Sequence, residues 1–256
     1  MTKMHASADP PPTLAERDLH TLQRKTFRYF WSETNPENGL LADNTLGNIP
    51  ASIAGVGMAL SSYPVGVERG FLPRRVALGR ALTALRFFVD SDQGTAPDST
   101  GYRGFYYHFL DVRTGRRAWN CELSTIDTAI LIAGALTVAA YFDSASPKER
   151  ELRTLATKMF GQVDWRWAQD HGASLTHGWT PERGFERHRW HGYNEALLLY
   201  VLALGSDTYS LPKTSDSAWT KTYTLETAVQ SRVSLRWATF HASAVARLDR
   251  FSRYPG

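Results

Sequence analysis

Three carboxylates open the chemical reading. Glu122 and Asp127 begin the stretch ELSTIDTAILIAGALTVAAYF, and Glu195 begins NEALLLYVLAL directly after the loop HRWHGYN. Both stretches read as helices. A carboxylate near a helix start is favoured there by the positive end of the dipole. The offset of five between Glu122 and Asp127 is not one face of an ideal helix, so at most one should face a given ligand squarely. Glu122 can equally be a plain cap. Asp127 lies one turn deeper, before mostly apolar sequence, where a charge needs a partner. Glu195 is flanked by Trp190, His191 and Tyr193. Desolvation by such neighbours would hold its proton, as a general acid for a glycosidic oxygen requires. The bland alternative is a first-turn Glu that supports the dipole.

Around these stand groups suited to sugar hydroxyls and sugar faces. Arg103, Tyr106, Tyr107 and His108 lie in YRGFYYHFLDVRTGRRAW, which alternates aromatic with polar residues and turns at Thr114-Gly115. They can bind hydroxyls or stack on rings, or simply fill a packed loop. His108, His171, His177, His188 and His191 lack metal-ligand spacing with a third ligand, so no metal site and no cofactor are expected. No phosphate-cradling glycine loop and no Gly-x-Ser-x-Gly elbow occurs.

The elements that must position these groups are helical. Residues 1–12 read as a disordered tail rich in Pro and Ala. Helices are expected over 13–33, 52–62, 73–89, 122–142, 147–169 and 193–204. Tyr63-Pro64 should end or bend the second, and Ala54, Gly55 and Gly57 should let it pack closely. Residues 35–49 and 170–189 read as loops, and 102–119 as an irregular loop or short hairpin. The expectation is an all-α fold, a helical toroid rather than a compact bundle, with no clean sequence repeat.

Composition narrows the partners. The chain has 256 residues and a formal charge of +4, with no dense basic block, so nucleic acid is not expected. A single cysteine, Cys121, permits no internal disulfide. The apolar run 129–140 is too short to span a bilayer. The N-terminus lacks a signal-peptide core, so the cytoplasm is the default expectation, or the periplasm if the start site is misassigned. Eight tryptophans fit a sugar cleft or a packed core equally well.

Taken together, LQRKTFRYFW, SIAGVGMALSSYPVGVERG, TGYRGFYYHFLDVRTGRRAWNCELSTIDTAILIAG, VDWRWA and GYNEALLLYVLALGS resemble the glycoamylase-like domain family, whose relatives include endo-β-1,2-glucanases and a domain of cyclic β-1,2-glucan synthases. The resemblance runs from about residue 22 to 223. It implies an (α/α)6 toroid with a central cleft, action on a β-1,2-linked glucose oligo- or polysaccharide, and no metal. It implies Glu122, Asp127 and Glu195 at the cleft, lined by Arg103, Tyr106, His108, Trp119, Trp190, Tyr193 and Asn194. Glu195 is then the expected acid, with Glu122 and Asp127 orienting hydroxyls. Cys121 departs from the usual serine of the family.

The stretch 225–256 does not continue the pattern. It has no clear period and few acids. Permitted codons for residues 232–256, read one base later, spell EFLYAGPLFMHQLSHVWIDFRGIR, which resembles the next block of the family. The expectation is an incomplete toroid over 13–224 followed by an out-of-frame tail.

Overall fold

The structure is a computed structural model that describes residues 13–192 and 194–221. The expected tail readings on 1–12 and from 225 onward fall outside them.

Helices carry the core. They are α1 (Leu14–Ser32), α2 (Ile53–Glu68), α3 (Arg74–Asp90), α4 (Thr125–Tyr141), α5 (Pro147–Gln162), α6 (Ala196–Leu204) and α7 (Thr214–Thr220). Packing follows an alternating order. α4 lies between α2 and α6, while α3 packs on α5 and α1 on α2. The central three are apolar nearly all round, as a layer covered on both sides must be. α2 and α4 meet backbone to backbone. A Cβ on Gly57 would stand 2.4 Å from the Ile130 carbonyl oxygen, and one on Gly134 would stand 2.2 Å from that of Gly57. Of the small residues expected to permit close packing, Gly57 does so here, while Gly55 faces Leu41 and Ser52 instead.

The boundaries differ from expectation in physically simple ways. α2 runs through Pro64 because Tyr63 and Gly66 are buried on either side of it, and packing outweighs one missing N–H. α4 starts at Thr125, not Glu122, because the Ser124 hydroxyl takes the cap, accepting from the Asp127 N–H at 3.2 Å. Ser146 caps α5 in the same manner, accepting from Glu149. That helix stops at Gln162, and a separate 3₁₀ turn follows at Trp167–Gln169. α6 starts at Ala196 rather than at residue 193.

The loops hold small sheets. β1 (Ala51–Ser52) pairs with β4 (Phe109–Leu110), and β2 (Gly101–Tyr102) forms a hairpin with β3 (Phe105–Tyr106). β5 (Leu123–Ser124) pairs with β6 (Gly178–Thr180), which pairs with β7 (Gly184–Phe185). The hairpin in 102–119 agrees with the sequence reading. The strands within 170–189 do not, since that stretch was expected as loop. Together these sheets bring residues 108, 122 and 178 to the N-terminal end of α4. No described helix is long and apolar enough to cross a membrane.

Candidate active site

His108 is the centre of the site. Its backbone is pinned on both sides: its N–H donates to Glu122 O at 2.9 Å, and its carbonyl accepts from Ile53 N–H at 3.2 Å. Its ring lies flat on Phe109, with centroids 4.0 Å apart. Nδ1 sits 2.9 Å from Glu122 Oε1, and Nε2 sits 3.6 Å from Asp127 Oδ2. The first contact is a hydrogen bond and the second an ion pair. An imidazole with a carboxylate at each nitrogen is best satisfied as the imidazolium, which donates from both.

The electrostatics follow from this clamp. Burial alone would lower the His108 pKa, but the Glu122 hydrogen bond and the charges of Asp127 and Glu122 raise it overall. Burial, the largest single cause, pushes Glu122 up, but the hydrogen bond from His108, a backbone hydrogen bond and the charges of His108 and Arg117 together outweigh it, so the carboxyl titrates below its ordinary value. Glu122 is thus an ionised acceptor, not a proton donor. Asp127 also accepts a short hydrogen bond from the Ser124 hydroxyl.

The two carboxylates converge because Glu122 is not on the helix. It precedes β5, so the face argument for an offset of five does not apply. Glu122 lies over Gly178, where a Cβ would meet Glu122 Cγ at 2.9 Å and Leu123 O at 2.6 Å. Only a glycine leaves that space. Among the described residues, His108, Glu122 and Asp127 also form a group whose ligand-type atoms lie within 4.8 Å of one another. Both ring nitrogens face a carboxylate, so the arrangement is that of an ion-paired imidazolium.

Glu195 stands beyond a second histidine. His177 stacks on Trp190 at 3.9 Å, and Trp190 Nε1 donates to Thr125 Oγ1 at 3.0 Å. Thr125 opens α4, two residues before Asp127, so this stack joins the α6 end to the same helix mouth. Burial lowers the His177 pKa, and His188 adds to that, while Glu186 and Glu195 oppose it without prevailing. Glu195 itself is solvent-exposed. The desolvation expected from its aromatic neighbours is not found, because Trp190 turns inward onto His177.

The remaining expected lining residues divide. Trp119 is 64% exposed and borders a cleft of about 720 Å³ with the 42–50 and 111–118 loops. It touches Phe109, with centroids 5.1 Å apart. Asn194 caps the approach to α6, its Oδ1 accepting from Ala196 N–H at 3.1 Å and its Nδ2 donating to His191 O at 3.1 Å. Tyr106 is a correction: it is 2% exposed and donates its hydroxyl to Phe88 O at 2.9 Å, so it is core. Trp190 is likewise buried, at 8%. Arg103 pairs with Asp164 at 2.9 Å and lies over Tyr102 and Trp167, engaged away from the His108 cluster. Tyr193 lies outside the described residues. Ser124, His177 and Gly178 belong to the site and were not singled out for it by sequence. Nothing local marks Gly178, since its demand comes from the strand it pairs with at Ser124, 54 positions earlier.

A family model described as "Putative glucoamylase" matches residues 187–241. The chain is 27% identical over 223 residues to an exo β-1,2-glucooligosaccharide sophorohydrolase (non-reducing end) of Parabacteroides distasonis, covering 83% of this chain and 30% of that protein. It is similar to a crystal structure described as a "putative glucoamylase" from Bacteroides uniformis, at 27% identity and TM-score 0.75 over 83% of this chain and 52% of that one. The fold also matches an endo-β-1,2-glucanase from Chitinophaga pinensis in complex with sophorotriose and glucose, at 24% identity and TM-score 0.71 over 80% of this chain and 51% of that one. The chain thus spans about half the length of these solved relatives and less than a third of the curated one.

Proposed function

We propose that the chain is a relative of the glycoamylase-like family and acts on β-linked glucan, with the β-1,2 linkage as first candidate. The pairs α1–α2, α3–α4 and α5–α6 are read as three pairs of an (α/α)6 toroid. The observation that carries the proposal is the His108 clamp, which holds Glu122 and Asp127 together at the mouth of α4 beside an exposed tryptophan.

In this reading Glu122 and Asp127 accept hydrogen bonds from sugar hydroxyls and fix one glucosyl unit. Glu195, across the His177–Trp190 stack, donates the proton to the leaving oxygen. Hydrolysis needs both an acid and a second carboxylate as base or nucleophile. Glu122, ionised and oriented, is suited to the second role by charge. A second reading, binding without hydrolysis, is favoured by one observation: Glu195 is solvent-exposed.

Glu195→Gln separates the two. Under the first reading, release of reducing ends from β-1,2-glucan falls by a factor of about 10² or more, while calorimetric binding of an oligosaccharide is retained. Binding without release in the unmodified chain, unchanged in the variant, would favour the second.

A further inference from the structure

Arg117 points inward with 1% of its side chain exposed. All five of its N–H groups are engaged. Nε donates to Cys121 O at 2.6 Å, Nη1 to Pro97 O at 3.2 Å and Glu182 Oε1 at 2.7 Å, and Nη2 to Asn120 O at 2.9 Å and Glu182 Oε2 at 3.1 Å. The guanidinium also lies over the Tyr107 ring at 4.5 Å. No freedom is left in this side chain, and a lysine could not make the same set of bonds.

What it grips is a strained loop. Trp119 and Asn120 follow one another in the left-handed region, at φ 55° and 49°. Residues with a Cβ rarely adopt this conformation, and it persists where surrounding bonds over-determine it. In this loop Arg117 holds the carbonyls of Asn120, the second residue of the strained pair, and of Cys121, the residue that follows it. The result is that Trp119 is turned outward, the one tryptophan among the described residues that is solvent-exposed. Its ring meets Phe109, which lies on His108, so the aromatic surface is continuous with the carboxylate clamp.

A cleft lies beside Trp119, the residue that the family resemblance expects at a sugar site. It measures about 720 Å³ and brings Glu33, Asn44, Asn48 and Arg113 near the exposed ring. A flat ring offers a face to pyranose C–H groups, and amide and charged side chains at the rim suit hydroxyls. We propose that this cleft is a saccharide subsite adjoining the His108 cluster, with Trp119 as its platform and Arg117 as the positioning residue that holds the platform in place. The subsite rests on the saccharide reading above; the role of Arg117 does not.

Two readouts on the full chain keep those claims separate. The first is ¹⁹F NMR of protein labelled with 5-fluorotryptophan, the Trp119 signal being assigned with Trp119→Phe. Arg117→Lys is expected to shift or broaden that signal and leave the buried tryptophans unchanged. Glu182→Gln, which keeps the guanidinium and its carbonyl bonds, is expected to move it less, and it serves if the lysine variant does not fold. The second is calorimetric binding of sophorotriose. Trp119→Ala and Arg117→Lys are each expected to weaken it about tenfold, with circular dichroism unchanged. A Trp119 signal unmoved by either variant would overturn the positioning role, whatever the sugar does. Unchanged binding in Trp119→Ala would overturn the subsite. If the unmodified chain binds no sugar, the saccharide reading and the subsite fail together, while the NMR result still decides Arg117.

Discussion

His108 sets the pH range in which the clamp contributes to the fold. Glu122 titrates below its ordinary value of 4.5, so its contribution is complete above that pH and is lost as pH falls through the lowered value. His108 titrates above its ordinary 6.5, so its contribution is complete below that pH and is lost as pH rises through the raised value. Both are complete between 4.5 and 6.5. His108→Gln should therefore lower the melting temperature by a few degrees in that window, corresponding to about 1–2 kcal/mol, with a smaller difference on either side. Thermal melts of both proteins from about pH 3 to pH 9 check this. A difference that does not vary with pH would mean that His108 contributes by packing on Phe109 alone. Both carboxylates of the clamp were legible in the sequence as residues at a helix mouth. Their convergence was not, because it depends on Glu122 lying outside the helix and over Gly178. Tyr106 misled for a related reason. Alternation shows that successive side chains point to opposite faces, but not which face is core.

At the scale of elements, the helices were legible wherever an apolar run exceeded about two turns, as in α2, α4 and α6. The strands β5, β6 and β7 were not, since each is two or three residues long and β5 pairs with β6 across a long stretch of chain. The short α7 escaped notice as well, because seven mostly polar residues carry no period. The contact between α2 and α4 supports the sharpest element-scale prediction. Gly57→Ala places a methyl 2.4 Å from a backbone oxygen that cannot move independently, so the helices must part. The cost should be about 1–3 kcal/mol. Gly79→Ala makes the control: it lies in α3, is exposed, and an added Cβ would meet nothing within 4 Å. That variant should be neutral or gain up to about 1 kcal/mol from the better helix former. Chemical denaturation of the two variants should separate them in sign. Equal effects would show that α2 and α4 have room to spare.

On the scale of the whole molecule, the packed helices and the small sheets in their loops produce one consequence. Side chains from three distant stretches (His108, residues 122–127, and His177 with Trp190) meet at the end of a single buried helix. The rigid parts are α4 and its glycine contact with α2, and the chemistry sits on the loops they hold, as in other sites built on a packed scaffold. The clamp, the exposed Trp119 and the similarity to a β-1,2-glucooligosaccharide sophorohydrolase are what support the proposed glucan substrate. The most direct measurement is the release of reducing ends by the purified chain from β-1,2-glucan and, in parallel, from β-1,3- and β-1,4-glucans. The account predicts release from the β-1,2 polymer above the other two, reduced about 10²-fold or more in Glu122→Gln. Equal release from all three polymers, or release undiminished in Glu122→Gln, would contradict it.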